Sequence, residues 1–243
     1  MKIIQATDLH IGFEKQETYD VDVRANFLNL IPKVAEVNPD LAVLTGDFCF
    51  KEPEWEILKW IKDQLRSWTF PYCVITGNHD ESAMLMNVFP QFPSEGTEEL
   101  YYSMEARAHL LLFLDTKPGY MSPAQWLWLQ NHLDNFSGPI IIFMHHPPIK
   151  AGVPHMDRRH DFKQSEEFRA IIKSTNNSVS IFCGHYHLER TLSMSEGAII
   201  HITPSTVFQL DADRQDFGIE HYRPGYRVIS LNDNEYRTWV KYI

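Results

Sequence analysis

Five short motifs rich in metal-binding side chains punctuate this chain, and each follows an apolar run. They are Thr7-Asp8-Leu9-His10, Thr45-Gly46-Asp47, Gly77-Asn78-His79-Asp80, Met144-His145-His146-Pro147-Pro148 and Gly184-His185-Tyr186-His187. Short apolar runs bounded by Gly, Asn and Pro read as buried strands. Chemistry at the C-terminal ends of buried strands is the arrangement that α/β folds use. Imidazole, carboxylate and amide donors together suit two adjacent first-row metals able to run phosphoester hydrolysis.

The stretches between the motifs support that reading. Lys2 to Thr7, Leu41 to Thr45 and Tyr72 to Thr76 predict strands. Between them, Asp20 to Val37 has helical apolar spacing, and Pro53 opens a helix with Trp55, Leu58, Ile61, Leu65 and Trp68 on one face. The second half predicts strands at Tyr101 to Met104, Leu110 to Leu114, Ile140 to Met144, Val179 to Cys183, Ala198 to Thr203, Tyr226 to Leu231 and Arg237 to Tyr242. Ser122, Pro123 and Gln125 form a helix N-cap with a capping-box pattern. Two packed sheets with helices outside fit the alternation. The loop Pro204 to Gly225 is long enough to suggest a function, such as folding over the site.

With 243 residues, 44% of them hydrophobic, a single domain over 1–243 is expected. The net charge of −10 argues against a nucleic-acid polymer as partner, since backbone binding relies on Lys and Arg. Bound metals would still let an acidic protein take a small anionic substrate. Cys49, Cys73 and Cys183 show no pairing pattern and read as buried thiols of a reducing compartment. The N-terminus lacks the features of a signal peptide, and no apolar run nears membrane-spanning length. A cytoplasmic protein with no membrane partner is expected.

The ligand types carry more detail. In an extended segment, residues two apart point the same way, so Asp8 and His10 could reach one ion, as could His185 and His187. Glycine before Asp47, Asn78 and His185 permits tight turns. Asp47 is the natural bridge, with one carboxylate oxygen for each metal.

The five motifs in this order resemble those of the calcineurin-like metallophosphoesterases, over essentially the whole chain. The resemblance implies a four-layer α-β-β-α sandwich of two mixed sheets, with a dinuclear metal site at strand C-terminal ends. Carried over, Asp8, His10, Asp47 and His187 would hold one metal, and Asp47, Asn78, His145 and His185 the other. Asp47 is followed by Phe-Cys-Phe rather than the signature of protein serine/threonine phosphatases, and Asp80 stands where those enzymes usually carry Glu. His79 stands where the lipid A pathway's UDP-diacylglucosamine hydrolases carry Arg. The segments at 141–148, 181–187, 203–209 and 224–227 are similar to the branch of class III cyclic nucleotide phosphodiesterases and glycerophosphodiesterases.

That branch implies hydrolysis of a small anionic phosphodiester, 3′,5′-cyclic AMP foremost, by a metal-bridging hydroxide. Two ions per chain are expected, iron and manganese, with zinc or cobalt accepted by the same ligands. His79 is the candidate to hold the phosphate or protonate the leaving group, with Asn78 and His146 as further substrate contacts. Asp80 could orient either His79 or a backbone turn. His155, Asp157, Arg158, Arg159 and His160 could rim the pocket or form a solvated loop. A glycerophosphodiesterase, a broad phosphoesterase and a non-catalytic scaffold are the alternatives, and a homodimer is compatible with all of them.

Overall fold

Runs of Val, Ile and Leu with almost no charge suit strands covered on both faces. They form the centre of both sheets in the computed structural model, which describes residues 1–92, 94–233 and 235–243. The first half contains β1 (Lys2–Ala6), α1 (Val23–Glu36), β2 (Leu41–Thr45), α2 (Trp55–Leu65), β3 (Tyr72–Ile75) and α3 (Ser82–Val88). Next come β4 (Tyr102–Ala106), β5 (His109–Phe113), α4 (Pro123–Asn135), β6 (Ile140–Phe143), α5 (Pro154–Arg159) and α6 (Ser165–Ser174). The last part holds β7 (Val179–Cys183), β8 (Arg190–Ser193), β9 (Ile199–Ile202), β10 (Gln209–Leu210), β11 (Ile219–His221), β12 (Gly225–Leu231) and β13 (Tyr236–Tyr242).

Two mixed sheets result. One has the order β13-β12-β1-β2-β3, with β1, β2 and β3 parallel and β12 antiparallel to both β1 and β13. The other has the order β4-β5-β6-β7-β9-β8, with β5, β6, β7 and β9 parallel. Buried polar groups join the sheets. Gln5 on β1 donates to the Cys183 carbonyl at the end of β7 (3.2 Å), and the Arg227 guanidinium on β12 donates to the Ile202 carbonyl on β9 (2.9 Å). Each helix buries one apolar stripe and leaves its other face outward, as in α1, where Val23, Phe27, Leu30 and Val34 are the buried residues. No helix among the described residues is long and apolar enough to cross a membrane.

The second sheet carries one continuous row of rings. Tyr102, Phe113, Phe143, Phe182 and His201 are directly paired on five neighbouring strands. Successive rings stack with centroids 4.5, 5.4, 5.6 and 4.9 Å apart. Cross-strand stacking of this kind fixes register, because a slip of one residue would turn every ring to the opposite face. Phe143 lies two residues before His145, and Phe182 three before His185. The row thus locks the strands that deliver both motifs.

Three expectations are corrected. Trp55 does not join the buried face of its helix; at the first helical position it is 42% exposed, and Ile57 takes its place beside Leu58, Ile61 and Leu65. Ser122 caps α4 through Gln125 N–H, but the Gln125 side chain does not complete the box. It exchanges two hydrogen bonds with the Asp115 backbone instead (both 2.8 Å). The loop 204–225 is not wholly irregular, since β10 and β11 pair within it.

Candidate metal centre

The parallel strands β1, β2, β3, β6 and β7 end on one side of the molecule, and each ending is followed within three residues by one of the predicted ligands. Backbone hydrogen bonds prolong the β1–β2 pairing into the loops: Asp8 N–H to Gly46 O (3.0 Å), His10 N–H to Asp47 O (2.9 Å) and Ile11 N–H to Phe48 O (2.9 Å). The ligand residues do not stay extended. Asp8, His10, Asp47, His185 and His187 all have positive φ, between 44° and 68°. Asp8 with His10, and His185 with His187, therefore converge through alternating left-handed backbone, not through strand geometry. Left-handed backbone away from glycine costs on the order of 1 kcal/mol per residue and gathers at functional sites.

The glycines also work differently from the expectation. Of Gly46, Gly77 and Gly184, only Gly46 adopts positive φ, at +94°. Gly77 and Gly184 make room for carboxylates: a Cβ on Gly77 would lie 2.2 Å from Asp47 Oδ1, and one on Gly184 would lie 2.0 Å from Thr7 Oγ1 and 2.7 Å from Asp8 Oδ2.

All seven predicted ligands meet in one cluster. His10 Nε2 is 3.0 Å from His187 Nε2, which is 3.3 Å from Asp8 Oδ1. His145 Nε2 lies 3.4 Å from Asp47 Oδ2 and 3.2 Å from Asn78 Oδ1. Asp8, His10 and His187 form one group whose donor atoms all lie within 4.8 Å of one another; Asp47, His145 and His185 form a second. Asp47 joins the two, but not with one oxygen on each side. Its Oδ1 accepts from His79 N–H (2.9 Å), leaving Oδ2 to face both His145 and His10 (3.6 Å). Asp8 behaves alike, with Oδ2 accepting from His185 N–H (2.9 Å) and Oδ1 turned to the cluster.

Carbonyl partners set the histidine tautomers. His145 Nδ1–H donates to Thr45 O (2.8 Å), which turns Nε2 towards the cluster. His185 Nε2–H donates to His160 O (2.9 Å), which leaves Nδ1 bare. Holding the other ring nitrogen in this way is how proteins orient metal-binding imidazoles. His187 differs, because its Nδ1 is buried with no partner among the described residues.

Electrostatics match the geometry. Burial pushes the Asp8 carboxyl up, yet His187 and His145 hold it down to about 2; Asp47 is likewise held well below the usual range by His145 and His10. Burial lowers His10 to about 4, and burial with His145 lowers His185 to about 3. Burial opposes protonation of His145, but Asp47 and Asp8 draw it up to about 9. Without metal, the proton on His145 offsets the two carboxylates while His10 and His185 stay neutral; a cation can take that proton's place, so the donor set fits bound metal.

Around the cluster lies a cavity of about 220 Å³. His79 lines it, its Nδ1–H committed to Lys51 O (2.8 Å) and its Nε2 4.0 Å from Asp47 Oδ2. The Asp80 carboxylate is not what orients His79. It accepts from Phe48 N–H (2.9 Å) and Gly77 N–H (2.8 Å), and so fastens the β2 and β3 loops together. His146 is buried behind the cluster with Nδ1 3.0 Å from Thr116 Oγ1. Residues 154–159 form α5 rather than a solvated loop: His155, Met156 and His160 line the cavity, while Arg158 reaches Gln215 and Arg159, which lines a neighbouring groove, reaches Asp216. Asp157 is buried and accepts from Ala151 N–H, Val153 N–H and Tyr186 O–H. Phe208 and Phe217 from the long loop complete the wall with Tyr19 and Phe50. Tyr19, Phe50 and Phe217 were not singled out in the sequence; each sits in an irregular segment where no periodicity marks it.

A family model for calcineurin-like phosphoesterases matches residues 1–189. A probable cyclic nucleotide phosphodiesterase of Fibrobacter succinogenes is 32% identical over 240 residues, covering 99% of this chain and 93% of that protein. The glycerophosphodiester phosphodiesterase GpdQ of Enterobacter lignolyticus is 27% identical, covering 89% of this chain and 81% of that protein. A dimetal phosphatase from Danio rerio shares the fold with a TM-score of 0.70 at 13% identity, covering 98% of both chains. The sandwich, the two-lobed donor cluster and these matches agree: this chain belongs to the calcineurin-like phosphoesterases, and it is a two-metal enzyme of that family.

Proposed function

We propose that the protein is a phosphodiesterase whose substrates are 3′,5′-cyclic nucleotides, cyclic AMP among them. Asp8, His10, Asp47 and His187 hold one metal; Asp47, Asn78, His145 and His185 hold the other. Bound metal ions supply Lewis acidity, activating water at neutral pH and offsetting charge on the phosphoryl oxygens. The chain's own groups do the rest. Asn78 and His79 stand at the boundary of cluster and cavity, where the diester must lie. His79, fixed through Nδ1–H, presents Nε2 to the cavity, and as the imidazolium it would hand the Nε2 proton to the leaving alkoxide. Iron and manganese are the metals we assign, and three buried thiols fit a reducing cytosol.

The observation that carries the nucleotide reading is the aromatic wall beside the metal cluster. Tyr19 packs against Phe50, Phe208 and Phe217 at centroid distances of 5.5, 5.2 and 5.7 Å, and Phe208 lies 4.8 Å from His187. Flat apolar rings suit a nucleobase, where stacking contributes about 1–3 kcal/mol per base; a glycerol headgroup has no use for them. The relative named for cyclic nucleotides supports the same reading. The test is a comparison of kcat/KM for cyclic AMP, glycerophosphoethanolamine and bis(p-nitrophenyl) phosphate, using chelator-stripped protein reloaded with manganese. Cyclic AMP should lead. Preference for the glycerol diester would replace the nucleotide reading, and loss of all three activities with two metals bound would remove the diesterase reading.

A further inference from the structure

The cluster opens on a second side. A groove of about 190 Å³ begins at Asn78, His160 and His185, which also line the aromatic cavity, and runs out between residues 117–119 and 159–163. Its two walls are tied together. Lys163 N–H donates to Gly119 O (2.8 Å), and Gly119 N–H donates to Thr116 O (2.8 Å).

In a chain of net charge −10, this groove is lined by Lys117, Arg159 and Lys163 against one carboxylate, Asp161. Lys117 pairs with Glu81, Lys163 with Asp161, and Arg159 with Asp216 at 3.7 Å. Each pair is partly exposed to solvent, so it contributes under about 1 kcal/mol and can turn to a stronger anion. His146, only 3% exposed, lies deeper. Its backbone N–H donates to Thr116 Oγ1 (3.3 Å), and its Nδ1 shares a hydrogen bond with the same hydroxyl (3.0 Å). The His146 ring lines the inner end of the groove.

We propose that the groove is a subsite for a second phosphate, so that the enzyme also takes linear phosphodiesters bearing a further phosphate monoester. This rests on the phosphodiesterase reading above. A cyclic nucleotide has both ester oxygens on one ribose and carries no group for this groove. A 5′-phosphorylated dinucleotide does: its base meets the aromatic wall and its terminal phosphate meets Lys117 and Lys163, with Arg159 beside them. In the hydrolysis, the water oxygen bonds to the diester phosphorus, the bond from phosphorus to O3′ breaks, and O3′ takes a proton. Both halves leave as 5′-monophosphates.

The experiment compares kcat/KM of the metal-loaded enzyme for diadenylate with and without a 5′-phosphate (pApA and ApA), beside bis(p-nitrophenyl) phosphate. We expect pApA to exceed ApA by about tenfold or more, mostly through KM, since charge-assisted hydrogen bonds to phosphate are the strong ones. Lys117→Gln combined with Lys163→Gln should bring the ratio towards one. The ratio is read within a single variant, so a general loss of folding cancels; Arg159→Gln gives a second, independent reading. Binding of adenosine 3′,5′-bisphosphate, followed by calorimetry, should weaken in the same variants more than that of 3′-AMP. Equal rates for pApA and ApA, with bis(p-nitrophenyl) phosphate still cleaved, would overturn the subsite alone. No cleavage of bis(p-nitrophenyl) phosphate would overturn the diesterase reading and the subsite together.

Discussion

His79, the residue we propose for proton transfer, shows how few contacts fix one side chain at the edge of the cluster. One carbonyl, Lys51 O, fixes the ring, and its backbone N–H holds Asp47 Oδ1. Replacing the side chain therefore leaves the Asp47 contact intact. His79→Ala should keep two metals per chain by elemental analysis and lose about 10²–10⁴ in kcat, the usual span for a positioned acid or base. An unchanged kcat would take His79 out of the mechanism. The motif made this residue visible beforehand, because a histidine next to a ligand-type Asn stands out. The backbone conformation of Asp8 and His10 was not legible: D-x-H reads equally well on a strand and in the left-handed turns that the chain uses.

At the scale of elements, α5 is the part that sequence reasoning left open and the structure makes consequential. Its Asp157 accepts from Ala151 N–H, Val153 N–H and the hydroxyl of fully buried Tyr186, the residue between His185 and His187. The same helix ends at His160, whose carbonyl receives His185 Nε2–H. Asp157→Asn places an amide where three donors converge, so one N–H is left unpaired at a cost of about 1–3 kcal/mol. We expect a lower Tm, and also weaker metal binding in a competition titration with a chelator, since His185 loses its alignment. Tyr186→Phe should do the same to a smaller degree. A fall in Tm with unaltered metal affinity would confine Asp157 to a purely structural role. Strands such as Val179–Cys183 were legible because apolar runs bounded by glycine have few other readings. A six-residue helix behind a proline shows too little periodicity to be told from a loop.

Across the whole molecule, the ring row of the second sheet ends on a titratable group. Burial and the nearby Arg227 guanidinium hold the His201 imidazole down to about 4, against about 6.5 in the unfolded chain. Between those values the unfolded state binds more protons than the folded one. The contribution of His201 is therefore complete above about pH 6.5 and is lost as pH falls towards 4, by roughly 2–3 kcal/mol in all. Urea midpoints of wild type and His201→Phe, measured from pH 7.5 to 4.5, should show a shallower acid slope in the variant. Parallel slopes would mean that the imidazole is already protonated in the folded state. The layered architecture was readable from the alternation of apolar runs and motifs. The ring row was not, because it depends on which residues of separate strands lie side by side.

The five left-handed backbones at the centre have an evolutionary reading as well. Asp, Asn and His tolerate such conformations better than most residues, yet glycine tolerates them best. Exchanging Asp8 or His10 for glycine would destroy the cluster while easing the turn that carries it. In the metal-free protein, Asp8→Gly should therefore melt higher than Asp8→Ala. Selection on folding alone would push these positions away from the residues they hold. A lineage that stopped needing catalysis would shed them early, and what survived would be a sturdier, inert sandwich.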